Sequence, residues 1–106
     1  MASAGNSTIR VEVDRELATV VPGFLEKRLL DCALIERLLV EGDLAEIRTL
    51  GHRMKGAGGS YGFDEISEIG ERLESAALAH DVDTIRSAVG WLRGYLVRVE
   101  VAYVEI

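Results

Sequence analysis

Apolar residues recur along most of this chain at intervals of three and four, and short polar or glycine-bearing links interrupt them. Phe24, Leu25, Leu29, Cys32, Ile35, Leu38 and Leu39 form one such stripe, which predicts a helix from about Pro22 to Glu41. Pro22 suits its first turn, where the N–H that proline lacks would be unpaired anyway. Gly42 is placed to end this helix and Asp43 to cap the next, from about Leu44 to Tyr61. Gly62 then supplies a left-handed closing residue, and Phe63 the apolar contact that accompanies one. Asp64 is predicted to cap the following helix, with Ile66, Ile69, Leu73 and Ala76 or Ala77 on one stripe and Glu65 and Glu68 near its positive end. Beyond His80-Asp81-Val82, Asp83 is predicted to cap a last helix that carries Ile85, Val89, Leu92, Leu96, Val99 and Tyr103 at the same spacing.

Ahead of these four helices, Asp14 is placed to cap a short one running to about Val20. Val11 and Val13 alternate with charges over only a few positions, too few to carry a sheet, and no strand pairing is needed. The predicted fold is therefore all-α, an antiparallel four-helix bundle with a short additional N-terminal helix. Residues 1–10 are expected to be a flexible leader and residues 11–106 the bundle domain.

Composition narrows the function. The chain has 106 residues, 48% of them hydrophobic, enough for one domain with a single core. Lys plus Arg is 12 against 18 for Asp plus Glu, a net charge of -6, which argues against a nucleic-acid surface. The apolar runs are far shorter than a membrane span, so a cytoplasmic, monomeric protein is expected. The single cysteine, Cys32, excludes an internal disulfide and is expected in the core. No Cys or His cluster has metal-ligand spacing, so neither a metal nor a cofactor of its own is expected.

Only the helix from Leu44 to Tyr61 carries evident chemistry. At about 100° per residue, Ile47, Leu50, Met54, Ala57 and Tyr61 gather on one side, which must face the core. His52 then points to solvent, with Arg48 one turn before it, Lys55 and Gly56 one turn after, and Gly59 two turns after. Gly56 and Gly59 leave a strip without side chains where the core asks for none. Gly58 lies nearer the core, where it can admit a neighbouring helix. No acid stands between Glu46 and Asp64, while Arg48, Arg53 and Lys55 give the segment three positive charges. Such a patch can hold an anion at His52, and a neutral imidazole can attack phosphorus. Lys55 could neutralise phosphoryl oxygens during in-line transfer. Taken alone, the pattern also fits an ordinary surface histidine. His80 sits at a helix end, where a cationic side chain suits the dipole. Trp91 and Tyr95 lie beside the last apolar stripe and suit packing.

The run His52-Arg53-Met54-Lys55-Gly56-Ala57-Gly58-Gly59-Ser60-Tyr61-Gly62-Phe63 resembles the signature of histidine-containing phosphotransfer (HPt) domains. Ile66, Ile69, Leu73 and Glu74 follow the family's downstream spacing, and Phe24-Leu25 and Gly42-Asp43 resemble members upstream. Met54 stands where leucine is usual, a volume-conserving change. The resemblance implies that His52 is the phosphorylated residue, that Lys55 supports the phosphoryl group, and that Gly56 and Gly59 keep the approach open. It implies a receiver-domain partner, from a response regulator or a hybrid histidine kinase, that supplies the aspartate and Mg²⁺. It also implies a phosphocarrier without kinase activity. Two other classes compete: the phosphoryl-accepting domain of a chemotaxis-type kinase, and a degenerate bundle that only binds protein.

Overall fold

The computed structural model describes residues 7–106. Four helices dominate it: α1 (Val21–Glu41), α2 (Leu44–Tyr61), α3 (Asp64–Leu78) and α4 (Val82–Arg98). Each packs on its sequence neighbour, and α1 also packs on α4, which closes the bundle. Most of the core comes from the stripes read from the sequence, joined by Val13, Val21, Phe63, Ala88 and Tyr95. Cys32, Ile35, Ile47, Met54, Ile66, Ile69, Leu73, Ile85, Val89 and Leu92 are all buried. Leu29 departs from its expected place in the first stripe and is half exposed.

The helix ends follow the local chemistry. Gly42 and Gly62 take left-handed φ values of 75° and 88°. In each case the N–H of the next residue returns to a carbonyl of the last turn, Asp43 to Leu38 at 2.9 Å and Phe63 to Gly58 at 2.8 Å. Asp43 accepts from the Glu46 N–H, as expected of a cap. Two expected caps are displaced. Phe63, not Asp64, occupies the cap position of α3. The two-residue link forces this apolar residue into the N-cap place, where it is fully buried, stacked on Phe24 at 5.7 Å. Asp81, not Asp83, caps α4 and accepts from both the amide and the hydroxyl of Thr84. His80 just before it is exposed and closes α3 from a left-handed conformation, φ 55°, as the Asp81 N–H bonds the Ala76 carbonyl at 2.8 Å.

The two ends of the domain depart from expectation. Ile9–Asp14 forms strand β1 and Val99–Val104 forms β2, paired in parallel with Ile9 opposite Val99 and Asp14 opposite Val104. The last helix therefore stops at Arg98. Val99, Val101 and Tyr103 stand opposite Ile9, Val11 and Val13 and lie on the core side, while Arg10 stands opposite Glu100. Parallel strands need a long crossover, and here the whole bundle provides it. The short N-terminal helix is replaced by a single 3₁₀ turn, Arg15–Leu17. Asp14 does cap it, through the Glu16 N–H at 2.9 Å, but the chain then turns straight into α1. Ile9 and Arg10, assigned to the leader, belong to β1; residues 1–6 of that leader lie outside the described residues.

Candidate functional site

Helix α2 buries Ile47, Gly51, Met54 and Gly58. A face so placed leaves His52 outside, and its side chain is 73% exposed. Arg48, Arg53, Lys55, Gly56 and Gly59 are exposed as well. A methyl group added at Gly56 or Gly59 would meet nothing within 4 Å, so the strip beyond His52 is open as the wheel predicted. Gly58 behaves differently. A Cβ there would lie 2.6 Å from the Ser67 backbone nitrogen, so Gly58 admits α3, as its nearness to the core suggested. A shallow depression beside His52 is lined by Ala45, Arg48, Thr49, Arg53 and Glu74.

The helical wheel of α2 did not bring Glu71 or Glu74 of α3 to the site. Glu74 Oε2 lies 3.0 Å from His52 Nδ1, and Glu74 is only 25% exposed, its stem covered where the two helices meet. Glu71 Oε2 lies 3.3 Å from Lys55 Nζ. The basic patch expected from α2 is thus bordered by an acidic edge from α3, and an incoming anion competes with Glu71 for Lys55. Ser67, Gly70, Glu71 and Glu74 recur at three and four residues beside the apolar stripe. That spacing is the signal which marks a second, polar face of α3 turned toward α2. Ser67 belongs to the same face, its hydroxyl donating to the Lys55 carbonyl at 2.7 Å.

The pair has one chemical consequence. An ionised carboxylate accepts hydrogen bonds and cannot donate them. A neutral His52 bonded to Glu74 therefore carries its proton on Nδ1 and keeps its lone pair on Nε2.

Elsewhere, Trp91 and Tyr95 pack as expected. The Trp91 N–H donates to Glu65 at 2.7 Å, with Arg72 over its ring, and Tyr95 is buried. Arg93 makes a bidentate pair with Glu36, the second bond at 2.9 Å, which ties α4 to α1. The groove beside that pair, lined by Leu39, Val40, Val89 and Gly90, carries no nucleophile. Among the described residues no helix is long and apolar enough to cross a membrane.

The architecture and the site together define a class: a small helical bundle with a solvent-facing histidine on one of its helices. The profile of the Hpt domain family matches residues 24–102, most of the chain, and the chain belongs to that family. Hpt domains are phosphocarriers of two-component phosphorelays rather than enzymes. Neither a curated protein nor a solved structure matches the chain.

Proposed function

We propose that this chain accepts a phosphoryl group on Nε2 of His52 and exchanges it with the aspartate of a response-regulator receiver domain. The observation that carries the reading is the 3.0 Å contact between Glu74 and Nδ1 of a histidine that is otherwise exposed. It leaves Nε2 as the nucleophile. The Nε2 lone pair attacks the phosphorus of the partner's aspartyl phosphate. The P–O bond to the carboxylate breaks and its electrons leave with that carboxylate. The ring becomes a phospho-imidazolium that keeps its Nδ1–H toward Glu74, and the reverse step returns the group. Lys55, drawn from Glu71, supports the phosphoryl oxygens. Arg48, Gly56 and Gly59 form the strip on which the receiver docks. The receiver, free or as part of a hybrid kinase, contributes the Mg²⁺. The chain phosphorylates nothing from nucleotide by itself, and it works as a cytoplasmic monomer.

The test is incubation with phosphorylated receiver domains, following acid-labile, alkali-stable phosphate on the chain. His52→Gln should accept none while melting near the wild type, since the side chain is largely exposed and gives up only its one contact with Glu74. Transfer to that variant at the wild-type rate would overturn the reading.

A further inference from the structure

Helices α2 and α3 do not merely pack. They touch backbone to backbone at glycine positions, and two of these bear on the candidate site. A Cβ on Gly51 would lie 2.6 Å from the Glu74 nitrogen, 2.8 Å from the Gly70 carbonyl and 3.0 Å from Leu73 Cβ. A Cβ on Gly70 would fall on the Lys55 nitrogen, 2.7 Å from the Gly51 carbonyl and 2.9 Å from Lys55 Cα. The obstructing atoms are almost all backbone, which cannot rotate aside. Gly51 precedes His52 and rests on Glu74; Gly70 precedes Glu71 and rests on Lys55. The same two contacts therefore deliver both cross-helix pairs, His52 with Glu74 and Lys55 with Glu71.

We infer that Gly51 and Gly70 are positioning residues: their contacts fix the α2–α3 register that holds His52 as its Nδ1–H tautomer. Helices usually pack with axes about 8–10 Å apart, with side chains filling the space between. Contact between backbones lets a glutamate on one helix reach a histidine ring on the other while its stem stays covered. Parting the helices by about 1 Å would stretch the 3.0 Å bond past the limit of a hydrogen bond. An imidazole without such a partner favours the proton on Nε2, which removes the lone pair from the proposed nucleophile. For its kinetic consequence the inference rests on the phosphocarrier reading; for its structural consequence it does not.

The experiment reads the ring directly. ¹⁵N NMR of the whole chain, at alkaline pH where the imidazole is neutral, reports which His52 nitrogen bears the proton. The wild type should show a single Nδ1–H form. Gly51→Ala and Gly70→Ala should each lose that signature and slow phosphoryl acceptance by about 100-fold, the scale of a 1 Å misplacement. Gly58→Ala is the control. It jams α2 against Ser67 just as hard, but six residues beyond His52, roughly 9 Å along the axis. It should melt earlier and keep the tautomer. Retention of the signature in Gly70→Ala, or its loss in Gly58→Ala as well, would overturn the inference, as would a wild type of mixed tautomer.

If the glycine variants do not fold, Glu74→Asp decides. Its carboxylate is one methylene shorter and cannot reach across a seam held by backbone contacts, so the Nδ1–H form should vanish. A preserved form would mean that the seam adjusts and the glycines do not set it. A wild type that shows the tautomer but accepts no phosphate would leave the positioning intact and remove the phosphocarrier reading.

Discussion

Glu74 meets the Nδ1 of His52 at 3.0 Å from a side chain three-quarters covered, while His52 is three-quarters exposed. The base is fixed on its inner edge and free on its outer one. Two effects of Glu74 can be separated. Glu74→Gln keeps an acceptor for the Nδ1–H but removes the charge that favours the phospho-imidazolium. The gap between a charged and a neutral hydrogen bond is of order 1.4 kcal/mol, so acceptance should slow about tenfold. Glu74→Ala removes the acceptor as well and should be slower still. Single-turnover transfer from a phosphorylated receiver measures both, and equal rates in wild type, Gln and Ala variants would show that Glu74 does not act on the ring.

Lys55 is tied to Glu71 at 3.3 Å, and both side chains are substantially exposed. Such a pair contributes little to stability, so Lys55→Ala should leave the melting temperature almost unchanged. It should slow transfer without abolishing it, because the lysine supports charge and is not the nucleophile. Glu71→Ala frees the lysine and should not slow transfer. A Lys55→Ala rate equal to wild type at low and high salt alike would show the lysine to be incidental.

Most of the bundle was legible because its helices are bounded by strong local signals. Gly42-Asp43 and Gly62-Phe63 act within a turn of chain, and α2 begins and ends at the predicted residues. The ends were not legible for a non-local reason. Val99 and Tyr103 fit a helical stripe, yet Val99, Val101 and Tyr103 also alternate as a strand does. Only a partner strand some ninety residues away decides between them. The site divided in the same way. His52, Gly56 and Gly59 follow from one helix and its wheel. The register that brings Glu74 and Glu71 to them depends on Gly51 and Gly70 meeting across two helices, and a wheel of α2 alone cannot place α3.

Tyr95 gives the fold a weak point at alkaline pH. It is buried, and burial, with Glu65 and Asp64 nearby, pushes its phenol from the ordinary 10.0 up to about 12. The folded state therefore keeps its proton where the unfolded state loses it. The stabilisation is complete below about pH 10 and is lost as pH rises toward 12. Unfolding followed across that range should show falling stability in the wild type and a shallower fall in Tyr95→Phe. Parallel slopes would show that other groups control alkaline unfolding.

The open strip separates docking from folding. A side chain at Gly59 would meet nothing within 4 Å, and the residue lies inside α2, two turns past His52. Leucine is the better helix former by up to about 1 kcal/mol, so Gly59→Leu should match or exceed the wild type in thermal stability. Phosphoryl transfer depends chiefly on bringing the receiver's aspartate in line with the ring. A leucine standing in the approach should therefore weaken receiver binding and slow transfer, while tautomer and fold stay as they are. Gly58→Leu is the opposite case, since its side chain would strike the Ser67 backbone and should unfold the domain early. A stable Gly59→Leu variant that transfers at the wild-type rate would move the receiver's footprint off this strip and onto another helix.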